Sequence, residues 1–166
     1  MKILEKIVHF LANIVYFLIG VYAVVCIPIL LQYHPLVVLS NSMKPSFSVG
    51  SVIYYQVVPA DSLKKNDIVV FKSKKNEYIA HRIIGIENGF IETKGDSNNA
   101  SDHLEISIQD VKGKVASFYI PFIGFYIKFV NDHLLIAVPV VFIILLEFLF
   151  TNTRIFEKKE KDMAEL

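Results

Sequence analysis

Two long apolar runs lie near the ends of the chain, and each predicts a membrane-spanning helix. The first, Ile7 to Leu31, contains few polar residues and is long enough to cross a hydrocarbon core of about 30 Å as a helix. The second, Leu134 to Phe150, is close to the lower length limit for a span and contains Pro139 and Glu147. We expect both segments to cross the membrane.

A cleavable signal peptide is the alternative interpretation of the first run. Its apolar region would be shorter and would end in a small-residue cleavage site, whereas this run continues through Pro28 to Leu31. We therefore favour an uncleaved anchor.

The stretch from Phe118 to Val130 mixes aromatic and aliphatic residues around Pro121 and Gly124. Aromatic residues in such a segment suit the interface between a bilayer and water. The same composition also suits a packed surface made of a strand and a turn. The sequence leaves both interpretations open.

Between the two apolar runs, the pattern changes to short β-branched and aromatic segments separated by turn residues, which predicts strands. The expected fold is mostly β, with a small-stranded domain flanked by N-terminal and C-terminal transmembrane helices. Its expected organisation is an anchor at 1–33, an extracytoplasmic β domain at 34–131, a transmembrane helix at 132–151 and a charged cytoplasmic tail at 152–166. The predicted strands are Leu36 to Ser40, Ser51 to Val58, Asp67 to Lys72, Glu77 to Ile86, Phe90 to Lys94 and Val111 to Tyr119.

Basic residues flank the two apolar runs on their outer sides and predict the orientation of the chain. Lys2 and Lys6 precede the first run, while four basic residues follow the second: Arg154, Lys158, Lys159 and Lys161. Because positive charge close to a span favours the cytoplasmic side, both termini should be cytoplasmic. The central domain should then lie outside the cytoplasm.

Composition excludes some classes of partner and cofactor. The net charge is +1 and the lysines are scattered, so we expect no nucleic-acid partner. The single cysteine, Cys26, rules out a disulfide framework within the chain. We expect no metal and no other cofactor.

Ser42 and His81 are the residues with the clearest catalytic potential. A serine hydroxyl becomes a good nucleophile when a neighbouring base takes its proton. In the strand from Tyr78 to Gly85, period-two alternation places His81 on one face with Ile79 and Ile83. On the residues alone, a partly buried structural histidine remains an alternative to a catalytic one.

Three ordered segments carry a family resemblance. The segments Ser40-Asn41-Ser42-Met43-Lys44-Pro45, Ala80-His81-Arg82-Ile83-Ile84-Gly85 and Lys94-Gly95-Asp96-Ser97-Asn98-Asn99 with Asp102 resemble the signature boxes of type I signal peptidases. They are similar to the archaeal and endoplasmic-reticulum branch, in which histidine replaces the lysine base of the common bacterial branch. The resemblance covers about residues 37 to 124 and extends to the two-anchor layout.

The resemblance implies a role for each matching residue. Ser42 would attack the scissile carbonyl, and His81 would be the general base. Asp102 would orient His81, and Asp96 would have a supporting structural or electrostatic role. The oxyanion would be stabilised by the hydroxyl of Ser40 and the backbone amide of Ser42. The sequence leaves open which of the two aspartates contacts His81.

The chain departs from the family pattern at three positions. Asn41 stands where a glycine is frequent, although asparagine tolerates positive φ better than most residues. Lys44 stands where an acidic residue is common. Ser97 precedes Asn98 and Asn99, which more often follow the aspartate directly.

The resemblance also implies the substrates and the setting of the reaction. The partners would be signal peptides of secretory preproteins, cleaved after small residues of the Ala-x-Ala type, together with the lipid bilayer. The secretion translocon is a further candidate partner. An extended substrate would lie beside a strand. From alternation, the expected pocket walls are Val37, Leu39, Ile79 and Ile83.

Two other functions are compatible with parts of the pattern. One is a catalytically inactive, membrane-tethered β domain that binds secretory partners. The other is a serine hydrolase of the autoproteolytic repressor type with a lysine base, which would need Lys72, Lys74 or Lys75 near Ser42.

Overall fold

The structure, a computed structural model, describes residues 2–73, 75–102 and 105–164, with the side chains of Lys2, Leu134 and 155–164 left out. Lys74, one of the alternative lysine bases, lies outside the described residues. The chain forms two compact units. One comprises Val25–Phe129 and contains the β-sheet, and the other comprises the helical segments that precede and follow it.

The described part of the chain contains three α-helices, and the first and last belong largely to the helical unit. Helix α1 spans Lys2–Cys26 and is followed by a short 3-10 helix at Ile27–Leu31, while α3 spans Ala137–Ala164. By length and composition, the stretches Ile3–Leu31 and Ala137–Arg154 could each cross a membrane. Within the helical unit, Glu147 of α3 accepts a hydrogen bond from the Tyr16 hydroxyl of α1 at 2.5 Å.

The central unit contains a seven-stranded sheet with the strand order β1-β2-β7-β3-β4-β5-β6, in which the neighbouring strands pair antiparallel. The strands are β1 His34–Val37, β2 Val52–Gln56, β3 Ile68–Lys72, β4 Tyr78–Glu87, β5 Phe90–Lys94, β6 Ile106–Ser107 and β7 Gly113–Ile120.

Alternation along β3 and β4 directs side chains into two hydrophobic clusters. The first cluster includes Val70 together with Met43 and Phe47 from the segment after β1. The second includes Phe71 and Ile83. Since neighbouring strand residues point to opposite faces, the side chains at adjacent positions of β4 pack against different clusters. This arrangement places the nucleophile segment beside one face of β4, because its apolar residues form part of the core.

The stretch from Phe118 to Val130 forms the end of β7 and then helix α2, Ile123–Asp132. Ile123 and Ile127 pack against the core cluster built around Tyr54. Five aromatic residues of the stretch remain between 42% and 72% exposed: Phe118, Tyr119, Phe122, Phe125 and Phe129. The aliphatic side of this segment therefore forms a packed surface, while these aromatic residues remain partly exposed.

The six predicted strands are all present, with shifted ends, so the β domain is confirmed for the central unit. As a description of the whole chain, however, "mostly β" is too strong, because α-helices of 25, 10 and 28 residues contain more of the chain than the strands do. The sequence prediction also missed β6, which has two residues, and α2. Pro121 and Gly124 interrupted the helical pattern that would have revealed α2.

Candidate active site

Ser42 begins a compact pair of turns between β1 and β2. The Lys44 amide donates to the Asn41 carbonyl at 3.1 Å, and the Phe47 amide donates to the Met43 carbonyl at 3.1 Å. Met43 is 1% exposed, so its side chain anchors the turn in the core. The neighbouring Ser42 side chain is consequently held at the edge of the core, partly open to solvent.

His81 reaches Ser42 from β4. Its Nε2 atom lies 3.2 Å from the Ser42 Oγ, within hydrogen-bonding distance. The residue is 8% exposed, and its ring packs edge-on against Phe71. The face predicted by alternation is therefore the one on which His81 lies, next to the cluster that contains Ile83.

Asp102 is the aspartate that contacts His81. Its Oδ2 atom lies 2.5 Å from His81 Nδ1. Because an ionised carboxylate only accepts hydrogen bonds, the imidazole proton resides on Nδ1, which leaves Nε2 free to accept the Ser42 hydroxyl proton. The three side chains thus form a continuous serine, histidine and aspartate chain of hydrogen bonds.

Thr93 holds Asp102 in place. The Thr93 hydroxyl donates to Asp102 Oδ2 at 2.7 Å, and the Asp102 amide donates to the Thr93 carbonyl at 2.8 Å. Thr93 is completely buried. Thr93 was not predicted from the sequence, although a polar side chain on the same face of β5 as the apolar Ile91 was an available signal.

Ser40 lies beside the nucleophile. Its Oγ atom is 3.1 Å from the Ser42 Oγ, and its residue is exposed. Asn41 lies between the two serines and does not have a positive φ, so the tolerance of asparagine for that conformation is not used here. Instead its side-chain carbonyl accepts a 3.3 Å hydrogen bond from the Val49 amide, which ties the start of the turn to its end.

Asp96 lies in the turn after β5 and binds Arg82 rather than His81. Arg82 Nε and Nη2 donate to the two carboxylate oxygens of Asp96, each at 2.7 Å. These hydrogen bonds lower the pKa of Asp96 below its ordinary value and raise the pKa of Arg82. Asp96 therefore remains ionised throughout the neutral range.

The turn at 95–98 also contacts the nucleophile segment through the backbone. The Ser97 amide donates to the Ser42 carbonyl at 2.9 Å, and the Ser97 hydroxyl donates to the Asn41 carbonyl at 2.9 Å. A Cβ atom on Gly95 would lie 2.8 Å from the Ser42 carbonyl oxygen. Gly95 is thus required here because two backbone segments approach closely.

A cavity of about 290 Å³ opens next to Ser42 and His81. Leu39 and Ile79, two of the four predicted pocket residues, line it. Apolar side chains supply most of its remaining wall: Leu36, Val38, Met43, Phe47, Ile53 and Ala80. The cavity suits a small apolar group adjacent to the serine hydroxyl.

The other two predicted pocket residues lie elsewhere. Val37 packs against the cluster around Tyr54, where it also approaches Gly124 of α2. Ile83 is completely buried in the cluster that contains Phe71. Alternation along the strands grouped Val37 with Leu39 and Ile83 with Ile79. This grouping failed because the cavity lies where the strands end and the nucleophile turn begins.

The arrangement can activate a serine hydroxyl for attack on a carbonyl group. Among the residues that the structure describes, no group of three or more histidine, cysteine, aspartate or glutamate side chains could hold a metal ion. The geometry alone leaves the substrate open.

Comparison with known proteins identifies the family. The family model described as "Signal peptidase, peptidase S26" matches residues 11–115. Signal peptidase I W of Bacillus subtilis (strain 168) is 34% identical over 89 residues, which are 51% of this chain and 47% of that protein. The human signal peptidase complex catalytic subunit SEC11C is 34% identical over 110 residues, which are 58% of this chain and 57% of that protein.

The matches thus span about half the length of these curated relatives. The matched region contains the nucleophile turn, β4 with His81 and the turn that follows β5. Since the family model covers more than half of the chain, this protein belongs to the signal peptidase family, peptidase S26.

Proposed function

We propose that this chain is a membrane-bound serine endopeptidase that removes signal peptides from secreted preproteins, cleaving after small residues. The observation that carries the proposal is the hydrogen-bonded series Ser42, His81 and Asp102, with distances of 3.2 and 2.5 Å. Family membership supports the peptide-bond chemistry, since the matched relatives are named as signal peptidases.

In the first half of the reaction, His81 Nε2 removes the hydroxyl proton as the Ser42 Oγ attacks the scissile carbonyl carbon. Asp102 stabilises the imidazolium that forms, because it accepts the Nδ1 proton. When the tetrahedral intermediate collapses, the carbon–nitrogen bond breaks and the leaving amine takes the proton from His81. The product of this half is an acyl-enzyme on Ser42.

In the second half, water attacks the acyl carbonyl while His81 again accepts a proton. That proton returns to Ser42 as the ester bond breaks, which restores the starting state. The Ser40 hydroxyl, 3.1 Å from the nucleophilic oxygen, is placed to donate to the developing oxyanion together with the Ser42 amide. A donor of this kind contributes about 3 to 4 kcal/mol to transition-state stabilisation.

An extended substrate can bind between two segments that border the cavity. Strand β1 is an edge strand, and the chain continues from it through Leu39 to the nucleophile turn. On β4, the pairing with β5 begins at Arg82. The Ile79 to His81 segment pairs with β3 on one side, and the proposed substrate would pair along its other side. Backbone pairing there provides affinity, and the 290 Å³ cavity favours small side chains.

Two apolar helices support a location of the proposed reaction at a membrane surface. Ile3–Leu31 leads directly into β1, and the 18 residues of Ala137–Arg154 would extend about 27 Å as a helix. With both termini cytoplasmic and the sheet outside, Ser42 would meet signal peptides where they leave the bilayer. The bilayer and preprotein signal peptides are thus the proposed partners, and the translocon is a further candidate.

The alternative lysine-base mechanism receives less support from the geometry. Lys72 Nζ donates to the Asn76 side chain at 2.8 Å and lies 5.0 Å from the centre of the Tyr78 ring. It is therefore engaged at the hairpin between β3 and β4, whereas His81 occupies the position of a base for Ser42. The alternative of a catalytically inactive binding domain predicts that the protein cleaves no preprotein, which a cleavage assay tests.

The test is cleavage of a preprotein by the full-length protein in detergent or lipid. We expect a single cut after a small residue, and we expect Ser42→Ala and His81→Ala each to reduce kcat about 10⁴-fold or more. Ser48→Ala, a change in the same segment outside the proposed series, should retain activity. Circular dichroism should show that all three variants keep the fold.

Full activity in Ser42→Ala would contradict the proposed mechanism. A folded wild-type protein that binds preproteins without cleaving them would support the inactive binding domain. Retention of activity in His81→Ala, together with its loss in Lys72→Ala, would support the lysine-base alternative.

A further inference from the structure

The turn that carries Ser42 is held at its far end by a second polar group. Ser46 lies four residues after the nucleophile, and its hydroxyl donates to Asp96 Oδ2 at 2.5 Å. The same hydroxyl accepts a 3.0 Å hydrogen bond from Arg82 Nη2. We refer to Arg82, Asp96 and Ser46 as the Arg82 cluster.

The hydrogen bonds of the Arg82 cluster form a closed triangle. Arg82 Nη2 donates to both Ser46 and Asp96, and Ser46 donates to Asp96. Arg82 Nε completes a two-pronged contact with the carboxylate. The Arg82 and Asp96 side chains are 29% and 13% exposed, so solvent screens this ion pair only in part. Planar, two-pronged contacts of this kind fix geometry more strictly than a lysine could.

Adjacent residues of β4 hold the two ends of the Ser42 turn from opposite faces of the strand. His81 faces the cluster that contains Phe71, whereas Arg82 alternates to the other face. Arg82 Nη1 also donates to the Asn66 carbonyl at 2.8 Å, which anchors the guanidinium to the segment before β3. The far end of the turn is thus tied to the same sheet that carries the base.

The cluster is also linked to the nucleophile through the backbone. Asp96 is followed by Ser97, whose amide donates to the Ser42 carbonyl at 2.9 Å. A movement of Asp96 would therefore displace a hydrogen-bond donor of Ser42. The hydroxyl of Ser97 provides a second link, because it donates to the Asn41 carbonyl at 2.9 Å.

We propose that Arg82, Asp96 and Ser46 act as positioning residues, which set the place of the Ser42 hydroxyl relative to His81. The proposal rests on the proposed serine mechanism. The three side chains act through the turn, so they influence the formation of the acyl-enzyme rather than the affinity for substrate. Displacement of a reacting atom by about 1 Å can lower a rate on the order of 100-fold.

The kinetic test compares variants of the cluster with a matched control in the full-length protein. In Ser46→Ala and Asp96→Asn, we expect kcat for preprotein cleavage to fall about 10- to 100-fold while KM changes less than about 2-fold. Ser46→Thr, which keeps the hydroxyl, should restore most of the rate. Arg82→Lys should behave like a loss of function, because lysine keeps the charge but cannot make the two-pronged contact.

The control is Lys114→Gln, which removes another ion pair of the sheet. Lys114 Nζ lies 2.7 Å from Asp67 Oδ1, where β7 pairs with β3. We expect this variant to keep the wild-type kcat. Wild-type kcat in folded Ser46→Ala and Arg82→Lys proteins would overturn the proposal, as would a rise in KM with kcat unchanged.

A second readout does not depend on catalysis. Amide hydrogen exchange of the 41–49 segment should become faster in Ser46→Ala and Asp96→Asn and stay unchanged in Lys114→Gln, since the amides of Lys44 and Phe47 are protected by bonds inside the turn. Faster exchange in a protein that cleaves no preprotein would uphold the structural role and reject the proposed function. Unchanged exchange would reject the positioning role.

Discussion

His81 and Arg82 are consecutive residues of β4 and contact opposite ends of one turn. His81 Nε2 lies 3.2 Å from the Ser42 Oγ, and Arg82 Nη2 lies 3.0 Å from the Ser46 Oγ. Because alternate strand residues point to opposite faces, one strand can supply both the proposed base and the residue that positions the nucleophile. Their adjacency couples the two functions to a single element.

The two aspartates should differ sharply when each is replaced by asparagine. Asp102→Asn leaves no carboxylate to hold the Nδ1 proton of His81, so the wrong imidazole tautomer becomes available and kcat should fall about 10³- to 10⁴-fold. Asp96 makes its hydrogen bonds with Arg82 and not with His81, so Asp96→Asn should have the smaller effect. Steady-state kinetics on one preprotein check this order, and a larger loss in Asp96→Asn would contradict it.

Thr93 should contribute to catalysis through Asp102. Thr93→Val removes the hydroxyl that donates to Asp102 Oδ2 but keeps the buried shape, so we expect kcat to fall about 10-fold and the free energy of unfolding to fall by about 1 to 3 kcal/mol. Thr93→Ser keeps the donor and should retain the rate, although the missing methyl group should lower the free energy of unfolding by about 1 kcal/mol. Kinetics combined with thermal unfolding distinguish the two effects.

The sequence contained enough information to predict the strands and to single out Ser42, His81 and Asp102, which the structure brings within hydrogen-bonding distance of one another. Each of these three residues lies in a recognisable segment, and β4 has a regular alternating pattern. The pairing of Asp102 with His81 could not be deduced, because the bond joins β4 to a loop 21 residues later. Tertiary packing decides such contacts, and sequence spacing does not report it.

The supporting residues were harder to predict for a related reason. Arg82 and Ser46 are polar, which by itself suggests exposure to solvent, and the two contacting residues are 36 positions apart in the sequence. Val37 and Ile83 illustrate the opposite difficulty, because their apolar character suited either a pocket or the core. In the structure, Ile83 belongs to the cluster that contains Phe71, and Val37 packs against the cluster around Tyr54.

Gly95 should tolerate no side chain without harm to the site. An added Cβ would lie 2.8 Å from the Ser42 carbonyl oxygen, a backbone atom that cannot move without moving the nucleophile. We expect Gly95→Ala to lower kcat about 10-fold and to cost about 1 to 3 kcal/mol of stability. The control is Gly85→Ala on β4, where the nearest atom would be 3.6 Å away. Equal kinetics for the two variants would contradict the proposed contact.

The Asp96–Arg82 pair should make stability depend on pH only in acid. Its hydrogen bonds with Arg82 lower the pKa of Asp96 below 3.8, so the folded state binds this proton less readily than the unfolded state. The stabilisation is therefore complete above the unfolded value and is lost as the pH falls through the folded pKa. Thermal unfolding should show a constant advantage of wild type over Asp96→Asn from about pH 5 to pH 7, which shrinks below about pH 4.

Glu147 should couple the two apolar helices of the helical unit. Its carboxylate accepts a 2.5 Å hydrogen bond from Tyr16 and lies 3.4 Å from His9 Nδ1, and an unpaired carboxylate in hydrocarbon is costly. In lipid, a double-mutant cycle of Tyr16→Phe and Glu147→Gln should give a coupling free energy of about 0.6 to 1.7 kcal/mol. Tyr33→Phe, in the sheet unit, should be additive with Glu147→Gln. If the stability effects of Tyr16→Phe and Glu147→Gln were additive, the hydrogen bond between these residues would not hold the helices together.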